Sequence, residues 1–571
     1  MQDDEVVVSA RGSAIARHVG RGLRWSLVGI LVTKMASFAI GLVLARLLTP
    51  KDFGIYAIAL AATAFVIHIN DVGIIAATVQ WRGRLEDMAP TAATLAFLFS
   101  VGLYTVVWIV APYLCHLASS PDATPVVRLL TATMVIDGIT AVRSAALMRR
   151  FQQDKLTLAN LAGFLVQAPL AIVLAMAGAG PFSFAVAQLA GAVVAGGFIF
   201  SLAKLPFELG FDRTVGRKLL RFGFPLAASL GVEAILVNAD YVIVGRLLGV
   251  TALGFYLLAF NVSSWVPGII TTGVRYVSVA GFSRLAEEEG SLEAGARRSI
   301  PIMVALVVPI TVLTAILSPE LVAFLYGGTW APAALVLRFL MILMAARVLI
   351  SFTFDILTSA GATRATFWLN LTWAIVLIPT LIVSTHLGGI RGTAIGHAAV
   401  AMVVAVPLSV ALLHRVGVRL APAVTALRRL LIAGALAAAV CLLVLQVMPD
   451  GPGVRLVAAG GAGLAAYLIV VVPRDAVRRR LRNGEPVSAG SVRHDEGTRP
   501  KRGYQPAHLD RSASLKRHGD PGRHTEGKSV RRGYQPAHLD RTAGTKRRED
   551  DRGRGAISAP TGLREPRADH L

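Results

Sequence analysis

The chain has 571 residues, 54% of them hydrophobic, a mean hydropathy of +0.62 and a formal net charge of +23. The hydrophobic share lies above the ~45–50% usual for soluble domains even when glycine is counted, which excludes a soluble fold and indicates a polytopic membrane protein. The charge does not mark a nucleic-acid binder. From Arg474 to Leu571 there are 24 basic and 13 acidic residues, and the rest of the excess lies in short loops between apolar runs, where it reports orientation.

Met1 to Arg24 is polar and then basic, and its MQDDEVVVSARGS opening lacks the pattern of a cleavable signal peptide. Apolar spans then follow at 25–48, 53–70, 91–117, 125–148, 154–178, 182–204, 219–248, 253–276, 300–325, 331–358, 364–386, 390–413, 426–448 and 453–473. Each is near the ~20 residues that cross a bilayer, so the expected fold is all-α with about fourteen transmembrane helices. Connections after even-numbered spans carry the Lys and Arg, as at Arg82 and Arg84, Arg149, Arg150 and Lys155, and Arg284. The opposite side is nearly bare apart from Lys51, Arg391 and Arg455. By the positive-inside rule the basic side is cytoplasmic, and an even number of spans puts both termini there.

Arg17–Leu85 aligns without a gap on Arg217–Leu285, at an offset of 200 residues. ARLLTPKDFGIYAIA (Ala45–Ala59) lies over GRLLGVTALGFYLLA (Gly245–Ala259), Gly73 meets Gly273, and Arg84-Leu85 meets Arg284-Leu285. Six spans, an even number, separate the copies, so both halves enter the membrane in the same direction. The expected architecture is two parallel six-helix lobes about a pseudo-two-fold along the membrane normal, a transporter signature. The domains are then a basic N-terminus (1–24), an N-lobe (25–204), a linker (205–218), a C-lobe (219–414), two added helices (426–473) and a tail (474–571). The tail is Arg-, Gly- and Pro-rich, reads as disordered, and repeats RGYQPAHLDR at Arg502–Arg511 and Arg532–Arg541. That duplicate is either a segment resting on the anionic inner leaflet or a docking motif for a cytoplasmic partner.

No catalytic constellation is present: there is no GxSxG, HExxH, Walker A or metal-spaced His/Cys cluster. Cys115 and Cys441 sit in separate apolar runs and form no disulfide framework. The chain therefore reads as a non-enzyme without a resident cofactor. The informative residues are ionisable groups inside apolar spans, each costing roughly 2.5–3.5 kcal/mol at mid-bilayer. Lys34, near the middle of span 1, suits an anionic headgroup in a wet cavity, or else an internal pair. Asp137 and Arg143 share span 4 but lie six residues apart, on different faces. Each is either functional or structural, Arg143 by snorkelling to the basic side. Span 7 reads LGVEAILVNADYVIVGRLLG, and Glu233, Asn238 and Asp240 are its polar set. Glu233 and Asp240 are two turns apart on one face, which suits an H+ or Na+ site; the alternative is interhelical hydrogen bonding. Arg275 in span 8 is a candidate phosphate contact or an ordinary positive-inside residue. Asp71 reads as a helix cap, Arg338, Arg347 and Asp355 as internal pairs, and His68 and His397 as satisfied polar residues.

ARLLTPKDFGIYAIA, NDVGIIAATVQ, NADYVIVGRLLGVTALGFY and GFSRL resemble the polysaccharide-export flippases. These belong to the superfamily that also holds the multidrug antiporters and the lipid II flippase. The resemblance covers about Gly20 to Arg415. It implies two lobes around a central cavity, alternating access, and a polyprenyl-diphosphate-linked glycan carried from the cytoplasmic to the outer leaflet of the bacterial cell membrane. Membrane lipids, a glycan polymerase and glycosyltransferases are the implied partners. By similarity, cations on spans 1 and 8, here Lys34 and Arg275, would meet the diphosphate, and spans 13 and 14 would line a groove for the lipid tail. The main competing reading is a drug/cation antiporter of the same fold, which should keep cavity carboxylates without a paired cation such as Lys34. A membrane glycosyltransferase or polymerase is disfavoured, because no large outward loop is present.

Overall fold

A computed structural model describes residues 34–70, 75, 78, 83–205, 208–265, 291–359, 362–418 and 424–472. They lie in the first of two compact units, Met1–Val487; the second, Ser488–Leu571, falls outside them, as does the rest of the tail. Among the described residues every regular element is helical. In chain order the first half holds α1 (34–47), α2 (Pro50–Asn70), α3 (Leu85–Leu117), α4 (Thr124–Thr131), α5 (Thr133–Arg149), α6 (Gln153–Met176) and α7 (Phe182–Leu202). The second half holds α8 (Arg213–Leu248), α9 (Val250–Trp265), α10 (Ser291–Ile316), α11 (Ser318–Leu325), α12 (Ala331–Ser359), α13 (Thr363–Val400) and α14 (Val406–Arg415). Two further helices follow, α15 (Val424–Val447) and α16 (Pro452–Val471).

Nine helical stretches among the described residues are long and apolar enough to cross a membrane. They contain the expected spans 3 to 6 and 9 to 14, because the stretch Ala365–Arg415 holds two of them. Those two are joined at Gly389, whose φ of 57° lets the chain reverse where a side chain would be strained. Span 9 is two helices rather than one. The chain breaks at Leu317, where Pro319 opens α11 and removes an amide that a continuous helix would need. α8 begins inside the expected linker, at Arg213, because the Asp212 carboxylate accepts from the amides of Thr214 (2.6 Å) and Val215 (3.1 Å). Those two bonds, aided by Lys218, hold the Asp212 carboxyl below the usual carboxylate range.

Lipid is as apolar as leucine, so helices in a membrane associate through close packing and polar contacts rather than water exclusion. α6 and α7 meet accordingly at Gly163 and Gly191, where each glycine faces the other's carbonyl. The α15–α16 pair packs on α10 and α11: Gly463 meets Leu313, Gly453 meets Phe324, and the Tyr467 hydroxyl donates to the Ala305 carbonyl at 2.9 Å. On the bare side the three exceptional cations have local partners. Lys51 lies 3.6 Å from Asp122, Arg455 2.6 Å from Asp450, and Arg391 over the Phe339 ring at 5.6 Å.

Candidate functional site

α1 ends and α2 begins at Thr49-Pro50-Lys51-Asp52, a turn built by its own side chains. The Asp52 carboxylate accepts from the Thr49 amide (2.9 Å) and hydroxyl (2.7 Å), and Pro50 occupies the first helical turn. This turn meets its repeat equivalent, the α8–α9 turn. A Cβ on Gly54 would collide with the Val250 carbonyl, and a Cβ on Gly254 with the Pro50 carbonyl. Residue 54 corresponds to 254 and 50 to 250, so the contact is reciprocal, as a two-fold relation requires.

Other contacts join the halves beside and below that crossing. Trp330, 1% exposed, donates its indole N–H to the Ala45 carbonyl at 2.8 Å. Its ring packs edge-on against Phe53 and Phe255, with centroids at 4.9 and 5.9 Å. Arg46 of the first half donates to the Leu325 and Phe324 carbonyls of the second, both at 2.9 Å. Its repeat equivalent Arg246 reaches the other way, to the Ser119 hydroxyl at 3.1 Å. Lower in the membrane Phe38 of α1 meets Trp265 of α9, with ring centroids 3.8 Å apart.

Beneath this seam, in the second half, lies a buried polar cluster. Asp240 of α8 is fully buried. Its Oδ2 accepts from the Tyr256 hydroxyl at 2.8 Å and lies 3.5 Å from His397 Nδ1; its Oδ1 accepts from the Tyr241 amide at 3.0 Å. Tyr241, Tyr256 and Phe260 pack ring against ring around it. Arg347 of α12 lies over Phe260 at 5.8 Å and within electrostatic reach of both tyrosines. Trp373 of α13 packs against His397, with ring centroids 6.5 Å apart. Immediately after His397 and its turn, Ala401–Ala405 form a π-helical turn. A buried carboxylate beside an imidazole and a phenol can bind and release a small cation.

The sequence candidates fall in different places. Asn238 is half-buried on α8, one turn below Tyr241, with a polar interaction of its own. Glu233 is in the same helix, but its side chain lies outside the described residues. Asp137 is exposed on α5, whereas Arg143, six residues on, is 1% exposed. The Arg143 guanidinium stacks on Phe200 at 3.9 Å and donates to the Leu205 carbonyl at 3.3 Å, which packs it into the first half. Lys34 is exposed, twelve residues before Arg46 in α1, hence about 18 Å deeper along the helix. Arg338 donates to the Ala315 carbonyl at 3.2 Å. Arg275, Asp71, the first 33 residues and the His68 side chain lie outside the described residues. His397 and Tyr256 were not read as partners of Asp240. Tyr256 had one usable signal, its equivalence to Tyr56 in the repeat, while His397 stands far along the chain and carries no motif.

A family profile described as polysaccharide biosynthesis protein matches residues 43–335, half of the chain. The succinoglycan biosynthesis transport protein ExoT of Rhizobium meliloti (strain 1021) is 23% identical over 66% of this chain and 76% of that protein. The lipopolysaccharide biosynthesis protein WzxC of Escherichia coli (strain K12) is 21% identical over 66% of this chain and 77% of its own. Among solved structures, the lipid II flippase MurJ in an inward closed conformation superposes with a TM-score of 0.65 at 14% identity, covering 79% of this chain and 100% of that one.

Proposed function

From the premise that this chain belongs to the polysaccharide biosynthesis protein family, we propose that it is a flippase for a lipid-linked glycan. It moves a polyprenyl-diphosphate-linked oligosaccharide from the basic-side leaflet to the opposite one, by alternating access of its two halves in the bacterial cell membrane. Relatives named for succinoglycan transport and lipopolysaccharide biosynthesis support the cargo class. The observation that carries the mechanism is the reciprocal crossing at Gly54 and Gly254. Two related halves that meet at one rim can part there while closing at the other, and a charged headgroup needs such a wet path because it cannot cross hydrocarbon bare.

In this reading Lys34 meets the diphosphate. It is exposed on a helix that reaches the seam, and the sequence sets it near the middle of span 1, too deep to snorkel easily. Lysine binds phosphate as a point charge. Arg275 is the second expected contact, and Arg143 would have to leave Phe200 and Leu205 to become a third. Asp240, with Asn238 and Glu233 on the same helix, binds the coupling ion, and Asp137 is a further candidate in the first half. Both termini lie on the cytoplasmic side.

The test is Lys34→Met, which keeps length and removes charge. A charge-assisted contact contributes about 1.5–3 kcal/mol, so export should fall about tenfold or more. Lipid-linked precursor should accumulate in the cytoplasmic leaflet at normal protein abundance, and Lys34→Arg should retain part of the activity. Normal export by Lys34→Met would remove this residue from the substrate path.

A further inference from the structure

We infer that the coupling ion of the buried cluster is a proton, carried between Asp240 and His397. The inference rests on the reading of Asp240 as the ion site and goes on to name the ion. It starts from ligand chemistry. An alkali cation is held by oxygen lone pairs, as hard cations are generally. Among the described residues, two of the groups in contact with the Asp240 carboxylate are nitrogens: the Tyr241 amide at 3.0 Å and His397 Nδ1 at 3.5 Å. A third, the Tyr256 hydroxyl, points its hydrogen at the carboxylate from 2.8 Å. Among the described residues, the contacts given for the carboxylate are thus an amide donor, a hydroxyl donor and an imidazole nitrogen, a set that suits a proton better than a metal shell.

Titratable and charged groups reach the cluster from several packed helices. α8 supplies Tyr241, α9 supplies Tyr256, α12 supplies Arg347 and α2 supplies Tyr56 within electrostatic reach of Tyr241. Phenols ordinarily titrate near pH 10 and guanidinium higher still, so none of these exchanges protons near neutrality. Histidine does. The proton therefore adds to His397 beside the Asp240 carboxylate, cancelling the charge of a fully buried group, and leaves by the same bond.

Position links this exchange to the seam. Asp240 stands six residues before Arg246 on α8, and Tyr256 two residues after Gly254 on α9. The helices that supply Asp240 and its Tyr256 partner are therefore the two that carry the second half's share of the bare-side contacts. On α13, the carbonyl of His397 accepts from the Ala401 amide at the junction with the π-helical turn. Such turns are places where a helix departs from its regular register, frequently at functional sites.

Trp373 provides the readout, since a protonated imidazole 6.5 Å between centroids from an indole quenches its fluorescence. The full chain in lipid nanodiscs is titrated from about pH 8 to about pH 5, with choline as the only other cation, and the Trp373→Phe signal is subtracted. Emission should fall as the pH falls. Replacing choline with sodium should leave the curve in place. His397→Gln should abolish the titration. Asp240→Asn should move it about one pH unit lower, because the imidazolium loses its counter-charge. A flat titration in the unmodified protein, or a sodium-dependent signal at fixed pH that Asp240→Asn removes, overturns the proton assignment and leaves Asp240 a transport residue. Normal export by Asp240→Asn would instead remove the ion-site reading beneath it. The unmodified protein's response to sodium decides the matter even if His397→Gln fails to fold.

Discussion

Tyr56 and Tyr256 occupy the same position in the two copies of the repeat, yet they do different work. Tyr56 stacks on Phe184 with centroids 4.1 Å apart and donates to the Gln188 side-chain carbonyl at 3.2 Å. Tyr256 donates to the Asp240 carboxylate oxygen that also lies 3.5 Å from His397. The residue equivalent to Asp240 in the first half is Ile40. The backbone crossing at Gly54 and Gly254 is reciprocal, whereas the chemistry just beneath it is one-sided. The two halves thus meet through equivalent backbone positions, while the buried carboxylate stands at the second half's position alone of this equivalent pair.

The largest effect should come from the one-sided chemistry. Asp240→Asn should lower export by about tenfold or more, the scale of a coupling free energy, while Tyr56→Phe and Gln188→Leu leave it within about twofold. Precursor accumulation measured on all three in the same strain checks this. Equal losses on both sides would mean that the two tyrosines belong to one shared packing layer.

The symmetric part should respond symmetrically. Gly54→Ala and Gly254→Ala each drive a methyl group into a backbone carbonyl of the other half. Each should cost about 1–3 kcal/mol, the range for overpacking, and the two losses should match in thermal unfolding of the purified protein. A large loss at one position with none at the other would break the two-fold relation at the seam.

The smallest effect belongs to the arginines that cross the seam. Arg46 makes two bonds to carbonyls and Arg246 one to a hydroxyl. At about 1 kcal/mol per hydrogen bond, Arg46→Ala should destabilise the bare-side contact more than Arg246→Ala. Cross-linking between cysteines placed at Ala45 and Trp330 would measure it, with lower yield in the Arg46 variant.

The sequence alone determined the class of the molecule and most of its helices. Apolar runs of bilayer length admit few conformations other than a helix in lipid, because every backbone amide and carbonyl must be satisfied within the segment. Spans such as 154–178 and 331–358 were therefore legible, and they appear as α6 and as α12. The ungapped repeat announced two related halves, and the cost of burial marked Asp240 as one of several candidates beside Lys34, Asp137, Arg143 and Glu233. The break at Leu317 was within reach, since Ser318-Pro319 spells a helix start. What only the tertiary structure decided is which distant groups meet. Asp240, Tyr256, Arg347 and His397 come from four helices, and helical periodicity constrains the face of each helix but not its neighbour across the bundle. Arg143 and Lys34 looked alike as cations in apolar spans. Packing separated them, since one is enclosed by Phe200 and the Leu205 carbonyl while the other stays exposed.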